Sequence, residues 1–200
     1  MDVREETSVA SALPRGDPRW CQAELAGRLA EICGGRTGAT LAFALALVVD
    51  AQHGGEPCAW VTLRTRCFFP PDADECGADL DALAVVRVAA ERELLVATDV
   101  LARSGAFGLI VVDLGAAHVP LGPLARLAGL ARAHESAIVL LTEKSSDQPS
   151  LGSLVSLRAD ARFERRASGE FLCELAVSRD RRRATSWIRA EVRRGPPGLR

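Results

Sequence analysis

Three observations predict an α/β protein: a mainly parallel sheet flanked by helices, closing with antiparallel strands near the C-terminus. Between residues 29 and 142, short apolar runs alternate with longer helical segments. Such alternation builds parallel sheets with right-handed crossovers. One run, residues 107–113, is apolar almost throughout and ends in Asp113, as a central strand buried on both faces does. Beyond Lys144 the pattern changes to three strand-like stretches, with turns at 167–169 and at Asp180.

Each element follows in order. Residues 1–19 are polar and proline-bearing and read as a flexible arm, ahead of one domain at 20–194. Residues 20–27 lead in, and 29–33 form the first strand. Residues 38–53 form a helix that is apolar on all sides, so it must be buried on most of them. Gly54 and Gly55 end it, as glycines past a last turn do. Residues 58–62 are the second strand. Residues 64–81 are an irregular loop carrying Phe68, Phe69, Pro70 and Pro71, with a short helix near 73–77. Residues 84–88 are the third strand. A helix at 91–103 gathers Leu94, Leu95, Val100 and Leu101 on one side and stops at Gly105. After the strand ending in Asp113 come a helix at 121–134 and a strand at 137–142. The antiparallel strands are expected at 154–163, 170–177 and 185–192, before a glycine- and proline-rich tail at 195–200 expected to be disordered.

Bulk properties exclude several classes. Two hundred residues with 48% hydrophobic content suffice for one sizeable core. A formal charge of −1 argues against a uniformly basic nucleic-acid binder. No apolar run reaches the roughly 18–20 residues of a membrane span, and the start lacks a secretory pattern, so a cytoplasmic protein is expected. The six cysteines show no C-x-x-C pairing, and His53, His118 and His134 are scattered. Zinc sites want short paired spacings, so no metal is expected.

The most informative stretch is a glycine-rich turn between the first strand and the first long helix. A phosphate-binding P-loop has the pattern G-x-x-x-x-G-K-[ST] there. Counting from Gly34, the second glycine falls on Ala39, the lysine on Thr40 and the metal-binding hydroxyl on Leu41. A loop one residue shorter recovers a glycine at Gly38 and a hydroxyl at Thr40, with alanine for lysine. Gly35 belongs to the same turn. Neither register has a cation. A hydrogen bond to a charged group contributes roughly 1.5–3 kcal/mol, so the loss should weaken nucleotide binding by about two to four orders of magnitude. The loop therefore reads as vestigial, with Asp113 a leftover strand-end acid; no catalytic residue and no cofactor are expected.

Taken together, the loop, the strand ending in Asp113 and the antiparallel close resemble the RecA-type core. Residues 101–113 resemble the RecA segment that carries its Walker B aspartate, and the spacing from Gly34 to Trp60 matches without a gap. On that register the catalytic glutamate position falls at Arg64 and the γ-phosphate-sensing glutamine at Glu143. RecA's two DNA-binding loops have almost no room. Within the superfamily the chain is most similar to ImuA-type proteins, also labelled SulA-like, through Cys67-Phe68-Phe69-Pro70-Pro71, residues 103–115, 124–128 and 151–158.

That resemblance implies a non-catalytic accessory subunit of an error-prone translesion complex, induced with the SOS response to DNA damage. The implied partners are an ImuB-like inactive Y-family polymerase protein and an error-prone C-family polymerase or RecA, with DNA contact weak or indirect. The expected partner-binding residues are Arg179, Arg181, Arg182, Arg183, Trp187, Ile188 and Val192, because arginine and tryptophan are enriched at interface hot spots. Trp187 serves as an anchor only if exposed; core packing under the last strand is the other reading. A residual nucleotide-binding regulator or weak ATPase is the alternative function, and a SulA-like cell-division inhibitor a weaker one.

Overall fold

The computed structural model describes residues 19–34, 39–66, 68–166, 170–183 and 186–194. The expected arm, apart from Arg19, and the expected tail lie outside the described residues, as do Gly35, Gly38 and Cys67.

In chain order the elements are α1 (Gln22–Leu25), β1 (Leu29–Cys33), α2 (Ala39–His53), β2 (Cys58–Leu63), α3 (Pro70–Glu75), β3 (Leu83–Val88), α4 (Glu91–Ser104), β4 (Leu109–Gly115), α5 (Leu121–His134), β5 (Ala137–Thr142), β6 (Leu157–Arg165), β7 (Glu170–Asp180) and β8 (Trp187–Arg194). The strands make one sheet in the order β3-β2-β4-β5-β1-β6-β7-β8. Pairing is parallel from β3 through β6 and antiparallel from β6 through β8. The expected fold class is the observed one.

Local chemistry explains the boundaries. Gly55 and Gly105 take φ of 77° and 64° after α2 and α4, a conformation that costs glycine little. β4 starts at Leu109 because the Gly108 N–H already turns to the Pro57 carbonyl. It continues past Asp113 to Gly115 through an irregularity in its register with β5. β6 begins three residues later than the apolar pattern suggests, because the Ser156 N–H bonds to the Leu29 carbonyl ahead of the ladder.

The sheet has a core on each face. One is built on α2, whose Phe43, Ala44, Leu47 and Val48 are fully buried against β1, β2 and the inner faces of β6–β8. Trp60 and Phe68 meet in it with ring centroids 5.2 Å apart. The other joins α4 and α5 to β1–β5 through Leu94, Leu124, Leu127, Ile110 and Ile138, and includes no residue of β6, β7 or β8. The second face of the antiparallel strands therefore has no helix from that layer over it. At that end Ile188 and Val192 are 59% and 54% exposed.

Candidate functional site

Open α/β sheets bind ligands beyond the carboxyl ends of their strands. Here β1, β2, β4 and β5 deliver Gly34, Thr62, Asp113 and Thr142 to that edge. All of β4 is buried, and Asp113 near its end is 7% exposed. The Thr62 hydroxyl donates to the Asp113 carboxylate at 3.1 Å.

A cation of the chain itself occupies this position. Arg66, three residues beyond β2, turns back over the strand ends. Its Nε lies 2.9 Å from the Asp113 carboxylate, and its Nη2 donates to Glu143 at 2.6 Å. A Cβ added to Gly115 would come within 1.9 Å of the guanidinium, so only glycine admits the arginine at this approach. Burial alone would lower the arginine's pKa, but the hydrogen bond to Glu143 and the charge of Asp113 outweigh it and hold it above the usual value. The side chain keeps 27% exposure. Arg66 thus ties Asp113, near the end of β4, to Glu143, just past the end of β5.

Sequence reasoning did not single out Arg66; it placed Arg64 at the catalytic-glutamate position of the RecA register. Arg64 itself is exposed, and its backbone N–H donates to the Val88 carbonyl of the edge strand β3. The polypeptide turns after Leu63, and the side chain reaching Asp113 comes from two residues further on. Glycine at 115 was the available signal, since it opens the space the arginine uses.

The glycine turn is seen at its two ends. At one end, Gly34 passes so close to β6 that an added Cβ would sit 2.4 Å from the Ala161 carbonyl. At the other end, Ala39 and Thr40 are buried at the start of α2, and Leu41 packs partly buried against the α2 core. The connection after β5, residues 143–156, is fastened to the sheet. Glu31, fully buried in β1, accepts from the Ser150 hydroxyl at 2.6 Å and the Leu151 N–H at 3.1 Å. Arg158 donates to the Gln148 carbonyl at 2.5 Å, and Lys144 to the Pro149 carbonyl at 3.0 Å. Among the described residues, no three of the histidines, cysteines and acids gather as a metal site. Nor is any described helix long and apolar enough to cross a membrane.

The expected partner surface divides. Arg179 and Arg181 are exposed. Arg182, although exposed, caps the chain's own lead-in, donating to the Glu24 and Ala26 carbonyls at 2.8 and 2.7 Å. Arg183 pairs with Glu24 at 3.0 Å. Ile188 and Val192 face outward from β8. Trp187 does not: it is 6% exposed, 6.5 Å from Trp20 between ring centroids, with the Arg19 guanidinium 4.7 Å over its ring. The anchor role given to Trp187 is therefore corrected; its alternation along β8 puts it on the α2 side, where Trp20 covers it.

The fold and the strand-end site define a RecA-type α/β domain whose carboxyl strand edge is spanned by an internal arginine. The chain belongs to the family described as the RecA N-terminal domain, whose model matches residues 22–137. It is similar to the RecA proteins of Rhodospirillum centenum and Thermus aquaticus, 36% and 37% identical over 94 residues. Those stretches cover 47% of this chain and 26% and 27% of the relatives, so the match spans about a quarter of their length. RecA of Colwellia psychrerythraea is 32% identical over the same extent.

Proposed function

We propose that this protein is a non-catalytic accessory subunit of an error-prone translesion complex, acting through protein–protein contacts. In this reading it works beside an ImuB-like inactive Y-family polymerase protein, with an error-prone C-family polymerase or RecA in the same assembly. The observation that carries the non-catalytic part is Arg66 bridging Asp113 and Glu143. A catalytic relative needs that acid free to orient a metal and its water; here Asp113 Oδ2 already accepts hydrogen bonds from Thr62 and Arg66, and the Arg66 Nε also lies 2.9 Å from Oδ1. The missing lysine at Thr40 removes the other half of phosphate recognition.

The contact surface in this proposal is the open face of β8, with Ile188 and Val192, and the exposed Arg179 and Arg181 beside it. Arginines of this kind pair with carboxylates in two-pronged fashion. Arg182 and Arg183 are held by the chain's own lead-in, which leaves fewer arginines of this run for DNA and supports a contact that is weak or indirect.

Calorimetry with ATP and magnesium tests the first part: no binding is expected, and sub-millimolar affinity overturns it. Thr40→Lys should not create hydrolysis, since Arg66 still covers Asp113. A pull-down with the polymerase-like partner tests the second part. Ile188→Asp or Arg181→Glu should weaken capture, and full capture by both variants removes this surface from the proposal.

A further inference from the structure

β8 is the last strand of the sheet, and among the described residues its outer edge has no partner strand. An edge of this kind is a template for another strand. Charged side chains on an edge ordinarily block such pairing, yet the charges of β8 alternate in sign. On the α2 side Arg189 lies 3.1 Å from Glu191, and Glu191 lies 2.6 Å from Arg193. These three are largely buried and held in place, Arg189 over Phe43 at 6.0 Å and Arg193 on the Ala42 carbonyl. On the outer face, Ile188, Ala190 and Val192 are all exposed.

We infer that β8 pairs with β8 of a second copy, antiparallel about a two-fold axis at Ala190, joining two sheets into one. In that register Arg189 faces Glu191 of the copy twice over, Ile188 faces Val192 twice over, and Ala190 faces itself. Opposite charges and aliphatic pairs directly across a ladder are the stabilising units of a sheet. Moving the axis one residue either way spoils the match: centred on Glu191, the acids face each other and Arg189 faces Arg193, and centred on Arg189, that arginine faces itself. Both copies keep α2 on the same side, so each outer apolar face stays open and the patch of Ile188, Ala190 and Val192 is doubled. The inference goes beyond the function proposed above and needs no partner protein.

Sedimentation equilibrium of the full chain alone tests it. The wild type should be a dimer. Ala190→Glu and Ala190→Lys each place like charges across the axis and should raise the dimer dissociation constant by about tenfold or more. Mixed in equal amounts, the two variants should restore the dimer, because glutamate then faces lysine. Ile188→Asp, opposite Val192 of the copy, should weaken it independently. Ala190 and Ile188 are exposed, so at concentrations low enough for the wild type to be monomeric the variants' thermal melts should match it. A wild type that is monomeric at every concentration overturns the inference, as does a dimer indifferent to both Ala190 changes. Loss of the dimer by each variant without recovery on mixing overturns the register. Because Ile188→Asp alters both this edge and the proposed partner surface, the Ala190 variants and their mixture decide the dimer, and Arg181→Glu decides partner capture.

Discussion

Arg28 and Asp180 form an ion pair 2.5 Å long, with side chains only 4% and 2% exposed, joining the start of β1 to the end of β7. Arg28 also donates to the Ser156 hydroxyl and carbonyl, and the Arg182 N–H donates to Asp180. The pair therefore sits in a set of hydrogen bonds that locks the antiparallel strands onto the parallel ones. Burial pushes the Asp180 pKa up, but the Arg28 hydrogen bond and charge together with the Arg182 N–H hold it below the usual value.

An acid dependence follows with a definite sign. A carboxylate whose folded pKa lies below its unfolded value contributes stability that is full above the unfolded value, about 3.9. That contribution is lost as pH falls through the depressed folded value. Urea titrations from pH 6 downward should show Asp180→Asn with a flatter acid loss than the wild type. Asp180→Asn should also cost about 3–5 kcal/mol at neutral pH, because Arg28 is left buried without its counter-charge. A variant of wild-type stability at both ends of the range contradicts the assignment.

Arg66→Ala removes the cation that the structure places between Asp113 and Glu143. The expected loss is about 1–3 kcal/mol from hydrogen bonds between charged groups. It stays below the cost of a fully buried pair because Arg66 is 27% exposed. A double-mutant cycle with Glu143→Gln should give a coupling above about 0.5 kcal/mol. Additive effects would mean that the bridge does not hold in solution.

Trp187→Ala should act on folding rather than on recognition. Truncating a buried tryptophan costs about 3–5 kcal/mol, which lowers the melting temperature of a chain this size by roughly 6–20 °C. Val192→Ala, on the exposed face of the same strand, should stay within about 0.5 kcal/mol. Thermal melts of the two variants separate the faces of β8, and equal melts would contradict the burial of Trp187.

Cys58 is packed against α2, and burial, with the Glu56 charge adding to it, pushes its thiol pKa up to about 12. The thiolate is the reactive form, so alkylation at pH 8 should leave Cys58 unlabelled in the native protein and label it after unfolding. Peptide mapping of the modified cysteines checks this. Rapid native labelling would show that β2 is not closed against α2.

Much of this architecture was legible in the chain. The all-apolar helix at 39–53, the buried run ending in Asp113 and the switch to hairpin pattern after Lys144 each report a burial demand that neighbouring residues alone express. That neither P-loop register places a lysine between Gly34 and Leu41 is likewise local, visible because the pattern has fixed spacing. The side chain that closes the site was not local. Arg64 and Arg66 flank the same turn, and only the backbone's exit from β2, with the space left by Gly115, selects Arg66 to meet residues 47 and 77 positions away. Trp187 shows the same limit. β8 has apolar residues on both faces, Trp187 on one and Ile188 and Val192 on the other, so alternation alone does not say which face is inside. Packing against α2 and Trp20, brought from the far end of the sequence, decides it, because burial is a property of what a folded chain places next to a residue.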